Sequence, residues 1–146
     1  MITLAYETIG GCNCTKDELL DENVYWKMTR RNGKITAVCV YKMTPNGRKM
    51  FLLASDGSEQ GKTDIRKIMS EDVTQEERHF YAEVSGKPEY MYKKRGAKSI
   101  PTSDVEKILV GKDIQPTGED EYRYTRQVGP DKKTFTKVMV GNPKME

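Results

Sequence analysis

Apolar positions in the first third of the chain fall in short alternating runs separated by turn residues. Ile2 to Tyr6 reads as a short strand, and Thr15-Lys16-Asp17-Glu18 reads as a capping box opening one short, exposed helix or turn over 15–22. Val24 to Thr29 is rich in β-branched and aromatic residues, and the Asn32-Gly33 pair after it predicts a tight hairpin to a strand over Ile35–Met43. Pro45-Asn46-Gly47 repeats that punctuation, so Lys49-Met50-Phe51-Leu52-Leu53-Ala54 should be another antiparallel strand. This run is apolar on both sides, as a central strand buried on both faces requires.

The period then changes. A polar, glycine-containing loop over 55–62 precedes Ile65, Ile68 and Met69 at helical spacing. His79 to Val84 has strand character, and Lys87 to Arg95 predicts a second helix, with Pro88 in its first turn and Gly96 closing it. Ala97 to Ile100 is a short strand. Ser103-Asp104-Val105-Glu106 is a second capping box, opening a helix that ends by Gly111. Tyr122, Tyr124 and Arg126, the Gly129-Pro130-Asp131 turn and Phe135 to Val140 predict a terminal hairpin. No repeat or linker divides the chain, so residues 1–146 are expected to form one α+β domain with a mixed, mainly antiparallel central sheet flanked by helices.

Composition narrows the function classes. Hydrophobic residues make up 36% of the chain and charged residues 32%, which predicts a lean core under a well-solvated surface. The net charge of +3 suits an anionic ligand but is too small to imply nucleic-acid binding without a concentrated patch. Such a patch would have to use Arg30, Arg31, Lys34, Lys42, Arg48 and Lys49, with Tyr25 and Tyr41 as stacking groups. Lys93-Lys94-Arg95, near Lys87 and Lys98, is expected to be a solvated helix end. No apolar run approaches the roughly 18 residues of a membrane span, and Met1-Ile2-Thr3-Leu4 leads into Glu7 in place of a secretory leader. Three cysteines fit a reducing compartment, so a cytoplasmic location is expected; Cys12 and Cys14 stand too close together for a structural zinc pair.

The order of antiparallel strands, buried strand, glycine-containing loop, helix, strand, helix ending in Gly and strand resembles the GNAT acyl-CoA N-acyltransferase superfamily over residues 24–101. The strongest local match runs from Ala82 to Pro101: Met91-Tyr92 and Gly96 fall at the family spacing, after the strand Tyr81-Ala82-Glu83-Val84. The Ala82-Glu83-Val84-Ser85-Gly86 block is also similar to small GNAT-like proteins encoded by bacteriophages. The resemblance implies acetyl-CoA as ligand, with its diphosphate on backbone N–H groups at a helix N-terminus, a ready anion site. The matching segment is Ser58-Glu59-Gln60-Gly61-Lys62-Thr63, which keeps only the first glycine of the family pattern, at Gly61. Lys62 offers a point charge to phosphate, and Thr63 brings a branched side chain where a small one is expected. Gly61-Lys62-Thr63 also matches the end of a nucleotide phosphate loop, but Asp56 stands where that pattern needs glycine.

The same resemblance implies that Leu53 and Ala54 pair their backbone with the pantetheine arm, as an added strand does. It puts Tyr92 where the family has a general-acid tyrosine and Ser85 near a residue that supports the cofactor arm. Glu83 alternates with Ser85 on one strand face, where a carboxylate can take a proton from an amine, or can simply face solvent. His79, the only histidine, is expected at the surface. Two functions follow. One is N-acetyl transfer to an amine of a small molecule or protein. The other is a catalytically silent GNAT-like domain, a homodimer or partner subunit, with Tyr122, Tyr124 and Phe135 as an exposed contact surface.

Overall fold

The structure is a computed structural model that describes residues 20–74, 79–109, 112–128 and 133–142. Residues 2–6, most of the 15–22 segment, Gly111 and the Gly129-Pro130-Asp131 turn lie outside the described residues; residues 20–22 are turn and coil. Strand β1 (Val24–Arg31) turns into β2 (Lys34–Thr44) through Asn32 at φ 52° and Gly33 at φ 79°. Two left-handed residues in succession are what a two-residue hairpin with the native strand twist needs. Gly47 closes the next turn into β3 (Gly47–Ser55), and α1 (Glu59–Thr74) follows. The chain continues through β4 (Phe80–Val84), α2 (Lys87–Lys94), β5 (Lys98–Ser99), α3 (Thr102–Ile108), β6 (Ile114–Pro116), β7 (Arg123–Val128) and β8 (Lys133–Gly141).

Two boundaries differ from expectation. Helix α1 begins at Glu59, so residues 59–62 are helical and the preceding loop is short; the Ser58 side chain caps the turn by accepting from the Gly61 amide at 3.0 Å. Helix α3 begins at Thr102, with Ser103 inside its first turn and no side-chain cap. The Pro101 carbonyl instead accepts from the amides of Asp104 (2.8 Å) and Val105 (3.0 Å).

The sheet runs β1-β2-β3-β4-β8-β7-β6, with β5 also paired to β8. Strand β8 is therefore central: it lies between β4 and β7 while forming the expected terminal hairpin with β7. All pairings are antiparallel except β3 with β4. On one face, α1 and α2 cover a core of Cys39, Tyr41, Met50, Ile68, Met69, Phe80 and Tyr92. On the other, α3 packs Val105 and Leu109 on Tyr81, Tyr124 and Met139. Cys39 is buried, and loss of hydration pushes its thiol up to about 11, so it stays a neutral thiol at ordinary pH. No helix among the described residues is long and apolar enough to cross a membrane.

A buried carboxylate fastens α1 to the first hairpin. Asp64 accepts from Arg31 Nη2 at 2.7 Å and from the Thr36 hydroxyl at 2.6 Å, and these donors hold its carboxyl well below the usual carboxylate range. Replacing Asp64 with Ala leaves Thr36 buried without that acceptor. Urea denaturation of Asp64→Ala should show a loss of about 1–3 kcal/mol.

Candidate active site

The two halves of the sheet touch along only three parallel residue pairs, Arg48↔Phe80, Lys49↔Tyr81 and Met50↔Ala82. Beyond these the strands part. On β3, Leu52 to Ser55 stay paired with β2 through Val40↔Leu52, Cys39↔Leu53, Val38↔Ala54 and Ala37↔Ser55. On β4, Glu83 and Val84 stay paired with Met139 and Val138 of β8. A wedge-shaped gap results, with the second edge of Leu52–Ser55 along one side. Among the described residues no strand pairs with that edge. The cause is local: the β2–β3 register passes from Val40↔Leu52 to Tyr41↔Met50, so Phe51 is the extra residue of a bulge at the point where β3 leaves β4. Bulges bend a strand and increase its twist.

Tyr92 lies at the apex of this gap. Its ring packs 5.5 Å from that of Phe80, and its hydroxyl donates to Met50 Sδ at 3.5 Å, on the last residue of β3 paired with β4. Burial, and then the charge of Asp72, push the hydroxyl well above the ordinary tyrosine value, so the proton stays on oxygen. A thioether is a weak acceptor. The proton of Tyr92 is thus pointed at sulfur and weakly held there.

On the opposite face, Glu83 is fully buried and both its oxygens are engaged. Oε1 accepts from Lys49 Nζ at 3.0 Å and Arg126 Nη2 at 2.6 Å; Oε2 accepts from Arg126 Nε at 2.8 Å and the Tyr124 hydroxyl at 2.9 Å. Burial alone pushes the carboxyl up, but the charge of Lys49 and the hydrogen bond from Arg126 outweigh it and hold the group down to about 2. Lys49 reaches Glu83 from β3, so this ion group ties the two halves of the sheet together below the gap.

The first turn of α1 is closed by its own chain. The Asp56 carboxylate accepts from the Ser58 amide (3.0 Å) and hydroxyl (2.6 Å); the Ser58 carbonyl accepts from the Lys62 amide (3.0 Å). The Thr63 hydroxyl donates to the Glu59 carbonyl (3.1 Å), and Lys62 pairs with Glu59 (3.4 Å). Gln60, with its amide turned so that oxygen faces Arg31, accepts from that guanidinium at 2.8 and 2.9 Å. Gly61 is required by this packing: a Cβ there would strike Asp56 Oδ1 and stand 2.8 Å from the Thr36 carbonyl.

No family model matches the chain, and no curated protein matches it in sequence. A search of solved structures finds the ribosomal-protein-S18-alanine N-acetyltransferase from Escherichia coli, with a TM-score of 0.54 and 14% identity over 99% of this chain and 88% of that one. The fold is that of the GNAT N-acetyltransferases. Within the GNAT fold, the expected residues separate into two groups. Leu53, Ala54, Glu83 and Tyr92 flank the gap or its apex, and Ser85 stands exposed just past the end of β4. Ser58, Gln60, Gly61, Lys62 and Thr63 gather in the first turn of α1, where each is engaged within the chain.

Several expectations change. Glu83 is neither solvent-facing nor an available base, because its lone pairs already receive hydrogen bonds from two cations and a tyrosine. Tyr124 and Arg126 belong to that buried group and not to an exposed contact surface; Tyr122 and Phe135 remain exposed. The nucleic-acid patch is dispersed: Arg48, Lys49 and Tyr41 are buried, while Arg31 and Lys42 pair with Asp64 and Asp21. His79 is half-buried, its Nδ1 at 2.8 Å from the Asn142 carbonyl. An open depression of about 360 Å³, lined by Lys98, Ile100, Pro101 and Asn142, lies by the end of β8, away from the gap. Two features went unread in the sequence. Asp56-Gly57-Ser58 is an Asx-turn pattern that signals an occupied cap, and Lys49 in an apolar strand signals a buried partner.

Glu83→Gln removes the carboxylate that Lys49 and Arg126 share, and denaturant titration should show a loss of about 3–5 kcal/mol. Because the folded-state value lies below the ordinary 4.5, the stability that Glu83 contributes is present above that pH and is lost as pH falls toward 2. The wild-type acid limb of stability over this range should flatten in the variant.

Proposed function

We propose that the chain transfers an acyl group from a thioester to an amine, with the gap between β3 and β4 as the acyl-donor site. The observation that carries this reading is the end of the β3–β4 register at Met50↔Ala82, with Tyr92 at the apex. The likeness in fold to an N-acetyltransferase supports it. When bound, the thioester supplies an acyl carbon that the amine attacks: the C–N bond forms, the C–S bond breaks, and the amine proton passes to the departing sulfur. Residues of this chain do the rest. The Leu52–Ser55 edge presents alternating backbone donors and acceptors, which align an extended amide-bearing arm as a strand would be aligned. Tyr92 donates a hydrogen bond to sulfur; its raised titration makes it a stabiliser of a thiolate more than an outright proton donor. Glu83 is a positioning residue, holding Lys49 against Arg126 and Tyr124 across the two half-sheets.

The acceptor is an amine on a small molecule or a protein, and acetyl-CoA is the first donor to test. A second reading, a silent domain acting by contact with a partner, is favoured by the self-closed turn of α1 and the saturated Glu83.

Steady-state assays with acetyl-CoA and a panel of amines test the first reading. Tyr92→Phe keeps the ring against Phe80 but removes the donor, so kcat should fall by about 10²–10³ with KM for donor little changed. Turnover equal to wild type excludes Tyr92 from the chemistry, and no turnover with any donor leaves the second reading.

A further inference from the structure

We infer that the protein selects its acyl donor by the amide-bearing arm alone and does not read a diphosphate at helix α1; this rests on the acyl-transfer reading above. A helix start attracts anions because its first amides lack partners and its dipole is positive there. Here the Gly61 amide donates to the Ser58 hydroxyl, the Lys62 amide makes the first helical bond to the Ser58 carbonyl, and the Ser58 amide donates to Asp56, so that the Glu59 and Gln60 amides are what the helix start still offers an anion. The Asp56 carboxylate is itself the anion at this turn. The hydroxyl and then the amide of Ser58 hold it below the ordinary aspartate value, so it carries its charge at neutral pH. It lies against Gly61, where even a Cβ would strike it. Glu59, the first helical residue, has a 90% exposed side chain and adds a second negative charge, offset in part by Lys62 at 3.4 Å. A diphosphate arriving here would compete with the Ser58–Asp56 contacts and face two carboxylates against one cation, Lys62, while Gln60 turns away toward Arg31.

The gap has no such obstruction along Leu52–Ser55, since that segment keeps β2 on one edge and turns the other toward the opening. The favoured donors are therefore thioesters on an extended arm with amide groups, for which a nucleotide end adds nothing. On this inference Leu53 and Ala54 serve the donor arm, and the residues from Ser58 to Thr63 do not.

Calorimetric titration of the full chain with S-acetylpantetheine and with acetyl-CoA should give dissociation constants within about threefold of each other. A preference for acetyl-CoA of about tenfold or more overturns the inference. Asp56→Asn keeps an acceptor for Ser58 but removes the charge, and should shift the ratio toward acetyl-CoA by about two- to fivefold. An unchanged ratio in a variant with wild-type circular dichroism contradicts the role given to Asp56. If neither thioester binds at millimolar concentration, the acyl-transfer reading fails by itself, and inorganic diphosphate then decides the state of the turn. Unmoved amide resonances from Ser58 to Thr63 support the closed turn, and saturable shifts there overturn it.

Discussion

One extra residue in a strand sets the working geometry of this protein. Phe51 enters the β2–β3 ladder as a bulge directly after Met50, the last residue of β3 in register with β4. At the bulge β3 bends away, and the Leu52–Ser55 edge turns toward a gap while its other edge remains in the sheet. A sheet edge is an array of backbone donors and acceptors, and the amide-bearing arm of the proposed donor would pair with it as an added strand does.

Splitting a sheet removes ladder hydrogen bonds and weakens the contact between its halves, so something must hold the base of the wedge. The Lys49–Glu83–Arg126 group does this, with Tyr124 completing the shell of Glu83. Burying three charges is costly, and such a group is not evidence of exceptional stability. Its value lies in direction, since the contact forms only when β3, β4 and β7 stand in one arrangement. Glu83 thus joins the two half-sheets on one face, whereas on the other the Tyr92 hydroxyl donates to the Met50 sulfur at 3.5 Å.

Much of this was legible in the chain. The Asn32-Gly33 pair carries its turn type in the residues themselves, Pro45-Asn46 makes the second turn between Thr44 and Gly47, and the spacing of Ile65, Ile68 and Met69 carries the helix. The resemblance over residues 24–101 placed Leu53, Ala54 and Tyr92 where the gap lies. What failed depends on contacts distant in sequence. Glu83 looks like any alternating strand carboxylate until β8 inserts beside β4 and brings Arg126 and Tyr124 over it, and no local pattern encodes that insertion. Glycine at 61 reads equally well as a phosphate-loop residue and as a close approach of helix to strand. The position of the Thr36 carbonyl and the Asp56 carboxylate shows the close approach.

The most direct test of the account is amide hydrogen exchange of the protein with and without saturating acetyl-CoA, resolved to single residues. The account predicts slowed exchange at gap-facing amides within Leu52–Ser55 and unchanged exchange from Ser58 to Thr63. Protection at Ser58–Thr63 with none along Leu52–Ser55 would contradict it, because the ligand would then sit on the helix and the gap would be a feature of folding alone.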